Sequence, residues 1–423
     1  MRFVQREKTL INYLKIDENR KPWGCDSECF KKNKKICSKC SNQLDLFKIS
    51  VTGSELSYEP KEELQDNWEV RKSLPGRISV ISEIMIEDEV PLYLTSPKSG
   101  ADCYIFVTDD KKSQKIRLTI AFRGTESRLD VLNDLAIHRI PFRKSLNLAR
   151  KKLFKNNDEL FQEDSFKKLQ KDFEHEEEKI QQEIKDNLVE KVHQGFFNQY
   201  KTMMLEKENE DRFVDVLDIK LKVKKLRKRL KKENRNFNET FEILVTGHSL
   251  GGALAVLCAR HVQMHPKDFG LPKNFDIKSQ LQCVTFGAPM VGNKKMKNNF
   301  TEFIPKIYQF RNENDPIPYL LSPSHGYTHM MKNNEKHDPE ESFLISFENP
   351  PEPNPASIFL KFLPFTTPCI SCTDQRNAHS IDNYEKNLLD QISPYLIEEN
   401  VNKNPSTSFD SGLWSSCSTV YSE

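Results

Sequence analysis

Three features are missing from this sequence, and each absence narrows what the chain can be. No apolar stretch approaches the ~18 residues that a membrane-spanning helix needs. The N-terminal residues, MRFVQREKTLINYLKIDENRKPWG, contain no apolar core of the kind a secretory signal carries. Neither sign of charge dominates: 64 Lys and Arg against 62 Asp and Glu leave a formal charge of +2. That balance gives no bulk attraction to nucleic acid. The expectation is a soluble cytoplasmic protein with no nucleic-acid partner. Its ten cysteines then read as thiols or metal ligands rather than disulfides.

What is present is a chain of 423 residues, 37% hydrophobic and 30% charged. That is enough for one large α/β domain carrying charged additions. The stretch FEILVTGHSLGGALAVLCA, residues 241–259, organises the rest. Ile243, Leu244, Val245 and Thr246 form a continuous, mostly β-branched run, as in a strand buried on both faces. Gly247-His248-Ser249-Leu250-Gly251 follows, then Gly252 and a helix-forming run rich in alanine and leucine. Strand, G-x-S-x-G, helix is the context of a nucleophile elbow. Glycines flank the serine because the turn is strained and other backbone packs against it. The serine then sits at a helix start, where N–H groups and the dipole can stabilise an oxyanion.

The run from Thr246 to Ala255 resembles the elbow of the class 3 lipases, a family of α/β-hydrolases. Five further stretches resemble the same family: Phe122-Arg123-Gly124-Thr125, the 127–137 segment, Val192-His193-Gln194-Gly195-Phe196, Cys283 to Asn293, and Asn312 to Pro318. The resemblance covers roughly residues 104–388 and implies an α/β-hydrolase fold. That fold has a mostly parallel central sheet with helices on both faces, here with charged helical insertions. The domain is expected over 76–395, with insertions near 142–191, 218–236 and 349–375. A Cys/Lys-rich segment, 1–75, would precede it and a Ser-rich disordered tail, 396–423, would follow.

The resemblance also implies the site. Ser249 is the nucleophile, and the N–H groups of Thr125 and Leu250 are the oxyanion donors. Asp315, just past a strand and before Pro316, is the acid, although an Asx-type turn before proline would also place an aspartate there. Glu313 is the alternative acid. Four histidines follow Asp315: His325, His329, His337 and His379. His379 comes after the last expected strand, 342–347, and is followed by Tyr384, so it is the base, with His329 as fallback. His193 precedes the nucleophile and stays outside the triad. The implied reaction is hydrolysis of carboxylic esters of lipids without a cofactor, of the acylglycerol lipase type. The alternatives are a phospholipase at a membrane surface and a non-catalytic hydrolase-fold scaffold recruited to membranes.

Several stretches remain open in the sequence. Cys25, Cys29, Cys37 and Cys40 are either four separate thiols or a structural zinc knuckle; either way the segment is not expected to touch the chemistry. Residues 127–137 form either a moving lid or a helix packed on the core. Phe166, Leu169, Phe173, Ile180, Ile184 and Leu188 keep helical spacing across 142–191, which reads as one long charged helix. In the basic run 218–233, Ile219, Val223, Leu226 and Leu230 line one helical face. The run is either ordinary solvated surface or a basic amphipathic helix that lies on an anionic membrane.

Overall fold

The computed structural model of the chain describes residues 38–58, 92–96, 101–110, 114–124, 138–155, 163–186, 188–206, 216–304, 306–312, 315–319, 321, 325–330, 343–346 and 379–384. In chain order these form helix α1 (Ser38–Leu56), strands β1 (Leu92–Ser96), β2 (Ala101–Asp110), β3 (Lys115–Phe122) and β4 (Arg139–Pro141), and helices α2 (Phe142–Lys155) and α3 (Glu163–Lys185). Strand β5 (Lys191–His193), helices α4 (Gln194–Leu205) and α5 (Val216–Lys232), strand β6 (Phe241–His248) and helix α6 (Leu250–Met264) come next. Strand β7 (Leu281–Phe286), helix α7 (Lys294–Phe303) and strands β8 (Ile307–Arg311) and β9 (Phe343–Ser346) complete the frame.

Seven strands make one sheet in the order β1-β2-β3-β6-β7-β8-β9. The β1-β2 and β2-β3 pairs are antiparallel; β3-β6, β6-β7, β7-β8 and β8-β9 are parallel. The sheet is therefore mostly parallel, and its parallel half carries the elbow. Register fixes what meets at its carboxyl edge. Phe122 pairs with Gly247, His248 with Phe286, and Phe286 with Phe310. Residues just past β3, β6, β7 and β8 thus emerge side by side, where open α/β sheets place their ligand crevices.

Alternation along β6 explains the two helical layers. Ile243 and Val245 face a core shared with α2, α4, α5 and α6, in which Leu118, Ile120, Phe197, Leu226 and Leu254 are buried. Thr246, next along the strand, faces α1, where its hydroxyl donates to the Ser50 carbonyl at 3.2 Å and meets the Ser54 hydroxyl at 3.1 Å. Phe47 of α1 packs edge-on against Tyr308 and Phe310. Every residue of β6 is buried, as its unbroken apolar run requires.

Helix α1 lies on the sheet, and the compact unit holding every described residue runs from Ser38 to Leu388. Leu46, Phe47, Ile49 and Val51 of α1 are buried. Cys25, Cys29 and Cys37 lie outside the described residues, as do the 349–375 insertion and the 396–423 tail. Among the described residues no three metal-ligating side chains cluster. Cys103, Cys258 and Cys283 are buried and unbridged, and burial pushes their thiols up, away from reactive thiolates.

The charged stretch 142–191 is two helices, α2 and α3, where one was expected. α2 ends at Lys155, just before Asn156-Asn157-Asp158, residue types that compete for backbone hydrogen bonds and disfavour helix interiors. On α3, Phe173 and Ile180 are buried while Ile184 is exposed. Helix α5 carries the basic run. Ile219, Val223, Leu226 and Leu230 are all fully buried in the core, while Leu221 is exposed. Lys224, Lys225, Lys228 and Lys231 face solvent. No helix among the described residues is long and apolar enough to cross a membrane.

One buried polar cluster locks the far end of α6. Asp268 accepts from Arg150 Nη2 at 3.1 Å and from His261 Nε2 at 3.1 Å, and the Tyr200 hydroxyl meets His261 Nδ1 at 2.7 Å. Burial alone would raise the Asp268 carboxyl, but the Arg150 charge and the bonds from His261 and Arg150 outweigh it. The group is held well below the usual carboxylate range. A depressed folded value means stability that is complete above the unfolded carboxylate value of about 3.9 and is lost as the solution turns more acidic. Asp268→Asn should cost about 3 kcal/mol at neutral pH, because Arg150 is left buried and unpaired. It should also flatten the acid side of the stability profile. Urea unfolding at a series of pH values checks both; an unchanged midpoint would speak against the role.

Candidate active site

Ser249 sits between β6 and α6 with φ 57° and ψ −128°. A positive φ is costly for a residue with a side chain, of the order of 1–3 kcal/mol. Its surroundings hold it there. The Ser249 N–H donates to the Phe286 carbonyl at 2.9 Å, and Gly252 N–H donates to the Ser249 carbonyl at 3.0 Å. The glycines permit the approach. A Cβ on Gly247 would lie 2.3 Å from the Gly251 carbonyl oxygen, and one on Gly251 would lie 2.2 Å from that of Phe122. On Gly252 it would meet Ala288 Cβ at 2.6 Å. Leu250 opens α6, so its N–H belongs to the first turn, which has no intrahelical acceptor.

The Ser249 hydroxyl lies 2.8 Å from His379 Nε2, and His379 Nδ1 lies 2.8 Å from Asp315 Oδ2. All three side chains are buried or nearly so. Asp315 uses both oxygens. Oδ1 accepts from the Ile317 N–H at 2.9 Å, which is the Asx-type turn across Pro316, while Oδ2 faces the histidine. The two readings of this aspartate therefore describe one residue. The Tyr384 hydroxyl donates to the same Oδ2 at 2.6 Å and accepts from the Asn312 N–H at 3.0 Å. Burial, then the Asp315 charge, pushes the Tyr384 phenol well above its ordinary value, so it keeps its proton and remains a donor. With the carboxylate accepting, His379 carries its proton on Nδ1 and presents the Nε2 lone pair to Ser249.

The other histidines are elsewhere. His193 caps α4, its Nδ1 accepting from the Phe196 N–H at 3.3 Å. His325 is exposed. His329 bonds to none of the three site residues, and burial, with the Arg311 and Lys297 charges, lowers it to about 3. That leaves it neutral. His337, Glu313, Thr125 and the 127–137 segment lie outside the described residues.

Sequence reasoning missed two contributors. Gly287, read as a strand terminator, has φ 59°, and a Cβ there would stand 2.7 Å from Asp315 Oδ2 and 3.1 Å from His379 Nδ1. Its bareness makes room for the Asp315 and His379 side chains. His248, the variable residue of the pentapeptide, places Nε2 2.6 Å from the His379 carbonyl oxygen and its ring 4.6 Å from the His379 ring. Gly287 is legible only as a glycine ending a strand, and no one-dimensional signal points from His248 to a residue 131 positions away.

Residues 119–324 match the family described as lipase (class 3). This segment belongs to the class 3 lipases. The family match contains Ser249 and Asp315 and stops short of His379. Curated relatives share shorter stretches with it. The secreted mono- and diacylglycerol lipase 1 of Fusarium solani is 39% identical over 92 residues, 22% of this chain and 24% of the relative. Phospholipase A1-II 5 of Oryza sativa subsp. indica is 36% identical over 98 residues, 22% of this chain and 20% of the relative. The chain thus spans a quarter or less of the length of these relatives. Among solved structures, the Rhizomucor miehei triacylglyceride lipase is 20% identical, covers 70% of this chain and 79% of its own, and superposes with a TM-score of 0.39.

The elbow makes a stability prediction independent of chemistry. Gly247→Ala forces backbone apart at the 2.3 Å contact and should cost about 1–3 kcal/mol. Chemical denaturation of the purified variant measures it, and wild-type stability would show that the turn has slack.

Proposed function

We propose that this protein is a serine hydrolase that cleaves carboxylic ester bonds of lipids, of the acylglycerol lipase type, through Ser249, His379 and Asp315. One observation carries the reading: a strained serine at a strand-to-helix turn, within 2.8 Å of a histidine that is itself 2.8 Å from a buried aspartate. The chain order Ser–Asp–His is that of α/β-hydrolases. Membership in the class 3 lipases supports lipid esters as the substrate class.

In this mechanism His379 Nε2 takes the Ser249 proton as Oγ attacks the acyl carbonyl carbon. The imidazolium is stabilised by Asp315, which Tyr384 and the Ile317 N–H hold in place. The carbonyl oxygen becomes an oxyanion facing the Leu250 N–H and, by resemblance to the family, that of Thr125. Collapse breaks the ester C–O bond, and His379 returns the proton to the departing alcohol. Water then attacks the acyl-enzyme with His379 again as base. The carboxylic acid leaves and Ser249 regains its proton. Tyr384, kept protonated, shares the Asp315 oxygen with His379, so the carboxylate cannot rotate away from the base.

Labelling by a fluorophosphonate, with wild type against Ser249→Ala, tests the nucleophile. Wild-type labelling and its loss in the variant are expected. Turnover of a monoacylglycerol should fall about a thousandfold or more. A wild type that stays unlabelled with and without lipid vesicles would favour the non-catalytic scaffold. A panel of mono-, di- and triacylglycerols against phosphatidylcholine separates acylglycerol lipase from phospholipase.

Contact with a membrane through 218–233 belongs to the same proposal, in a restricted form. With Ile219, Val223, Leu226 and Leu230 buried, the exposed face of α5 is Leu221 among lysines and Arg227, and the contact is mainly electrostatic. Each lysine near an anionic surface contributes about 1 kcal/mol, and salt screens it. Changing Lys224, Lys225, Lys228 and Lys231 to Glu should abolish co-sedimentation with phosphatidylserine vesicles at low salt. Unchanged binding would place the membrane contact elsewhere.

A further inference from the structure

Tyr58, at the end of α1, lies far outside the stretch matched to the family, yet its hydroxyl is 2.8 Å from His248 Nδ1. His248 Nε2 is in turn 2.6 Å from the His379 carbonyl oxygen. A carbonyl only accepts, so His248 must carry its proton on Nε2 and donate it there. In the neutral ring Nδ1 then holds a lone pair, and Tyr58 is the donor. The bonds of that ring run from Tyr58 O–H to His248 Nδ1, and from His248 Nε2–H to the His379 carbonyl.

We infer that Tyr58 and His248 are positioning residues that hold the main chain of the base, as Asp315 holds its side chain. The inference rests on His379 acting as the base. An imidazole tethered only at Nδ1 can still swing with its backbone, and a misplacement of ~1 Å is enough to cost two orders of magnitude in rate. His248 supplies the second tether, and its ring also packs on the His379 ring at 4.6 Å.

Tyr58 is itself held from several sides. Its N–H donates to the Glu55 carbonyl at 3.0 Å. The Arg123 guanidinium stands 5.7 Å from its ring centroid, and Arg123 donates to Asp102 at 2.7 Å. Gly124 makes the passage: a Cβ there would lie 2.2 Å from the Tyr58 hydroxyl, 2.7 Å from the His248 carbonyl oxygen and 3.1 Å from Ser249 Cβ. The arginine and glycine after β3 thus have a task besides shaping an oxyanion loop. They seat the residue that reaches the base. Helix α1, anchored through Thr246 on the nucleophile strand itself, becomes part of the catalytic apparatus.

The test uses the full chain with a soluble monoacylglycerol ester and three variants. Tyr58→Phe and His248→Ala should each lower kcat about tenfold or more, with KM little changed, because positioning of the base acts on the chemical step rather than on binding. His248→Gln should restore most of the loss, since its amide N–H reaches where Nε2–H stood. Loss of KM rather than kcat, or no rescue by Gln with the fold intact by circular dichroism, overturns the inference. Nitrogen-15 NMR of labelled histidines tests the chain itself, whatever the turnover. The His248 signal, assigned by its absence in His248→Gln, should report an Nε2–H tautomer whose Nδ1 shift moves in Tyr58→Phe. An Nδ1–H tautomer would refute the relay even in an active enzyme. The expected tautomer in a wild type that neither turns over nor labels would instead sink the assignment of His379 as base.

Discussion

A serine at φ 57° is a conformation its own chain does not favour, and the rest of the site follows from the means by which it is held. The turn needs backbone from three strands within contact distance: β6 itself, the end of β3 against Gly251, and the β7 carbonyl that receives the Ser249 N–H. Side chains at 247, 251 or 252 would separate them. Once those contacts exist, the parallel register of β3, β6, β7 and β8 is set at its carboxyl edge. The loops that leave that edge carry Gly124, Gly287 and Asp315 to the same place. Strain at one residue and register across four strands are one constraint seen at two scales.

Asp315 and His379 are held by different means. Asp315 is fixed from within its own turn by the Ile317 N–H, and from across the site by Tyr384. His379 is fixed through Asp315 on one ring nitrogen, and its carbonyl receives His248. Each donor and acceptor is assigned by elimination, because carbonyls and carboxylates only accept and the buried phenol keeps its proton. Burial makes these bonds strong and makes any orphaned partner costly. Such a site tolerates little change around it, which is consistent with the absence of a side chain at Gly287 where three polar groups converge.

The charge-rich composition belongs to the periphery. Helices α2, α3 and α5 present lysines, arginines and glutamates outward, and bury Leu146, Leu153, Phe173, Val223 and Leu226. Where charge does go inside, it is paired, as in Arg150 with Asp268 beneath the far end of α6. The elbow helix is therefore clamped at both ends, by close backbone contact at Ser249 and by an ion pair at its C-terminal side. The basic run on α5 shows why an amphipathic pattern does not by itself name a partner. The same apolar line serves a core or a bilayer, and only packing tells which.

Much was legible in one dimension because it is local. G-x-S-x-G between a β-branched run and an alanine-rich run specifies strand, strained turn and helix, and an aspartate before proline specifies its own turn. Ser249 and Asp315 were readable as candidates for that reason, and His379 through its place after the last expected strand and its resemblance to the family. Elements read from composition were less secure: the helical period across 142–191 carried through a break, and the Cys/Lys-rich segment holds a helix that packs on the sheet. What only the tertiary structure decided are contacts between residues far apart in sequence: Tyr58 with His248, His248 with His379, Tyr384 with Asp315, and the space left by Gly287. A tyrosine, a variable elbow residue and a glycine carry no periodicity or spacing that names their partners. Their roles exist only once the parallel register and the docking of α1 have brought four separate parts of the chain within hydrogen-bond distance.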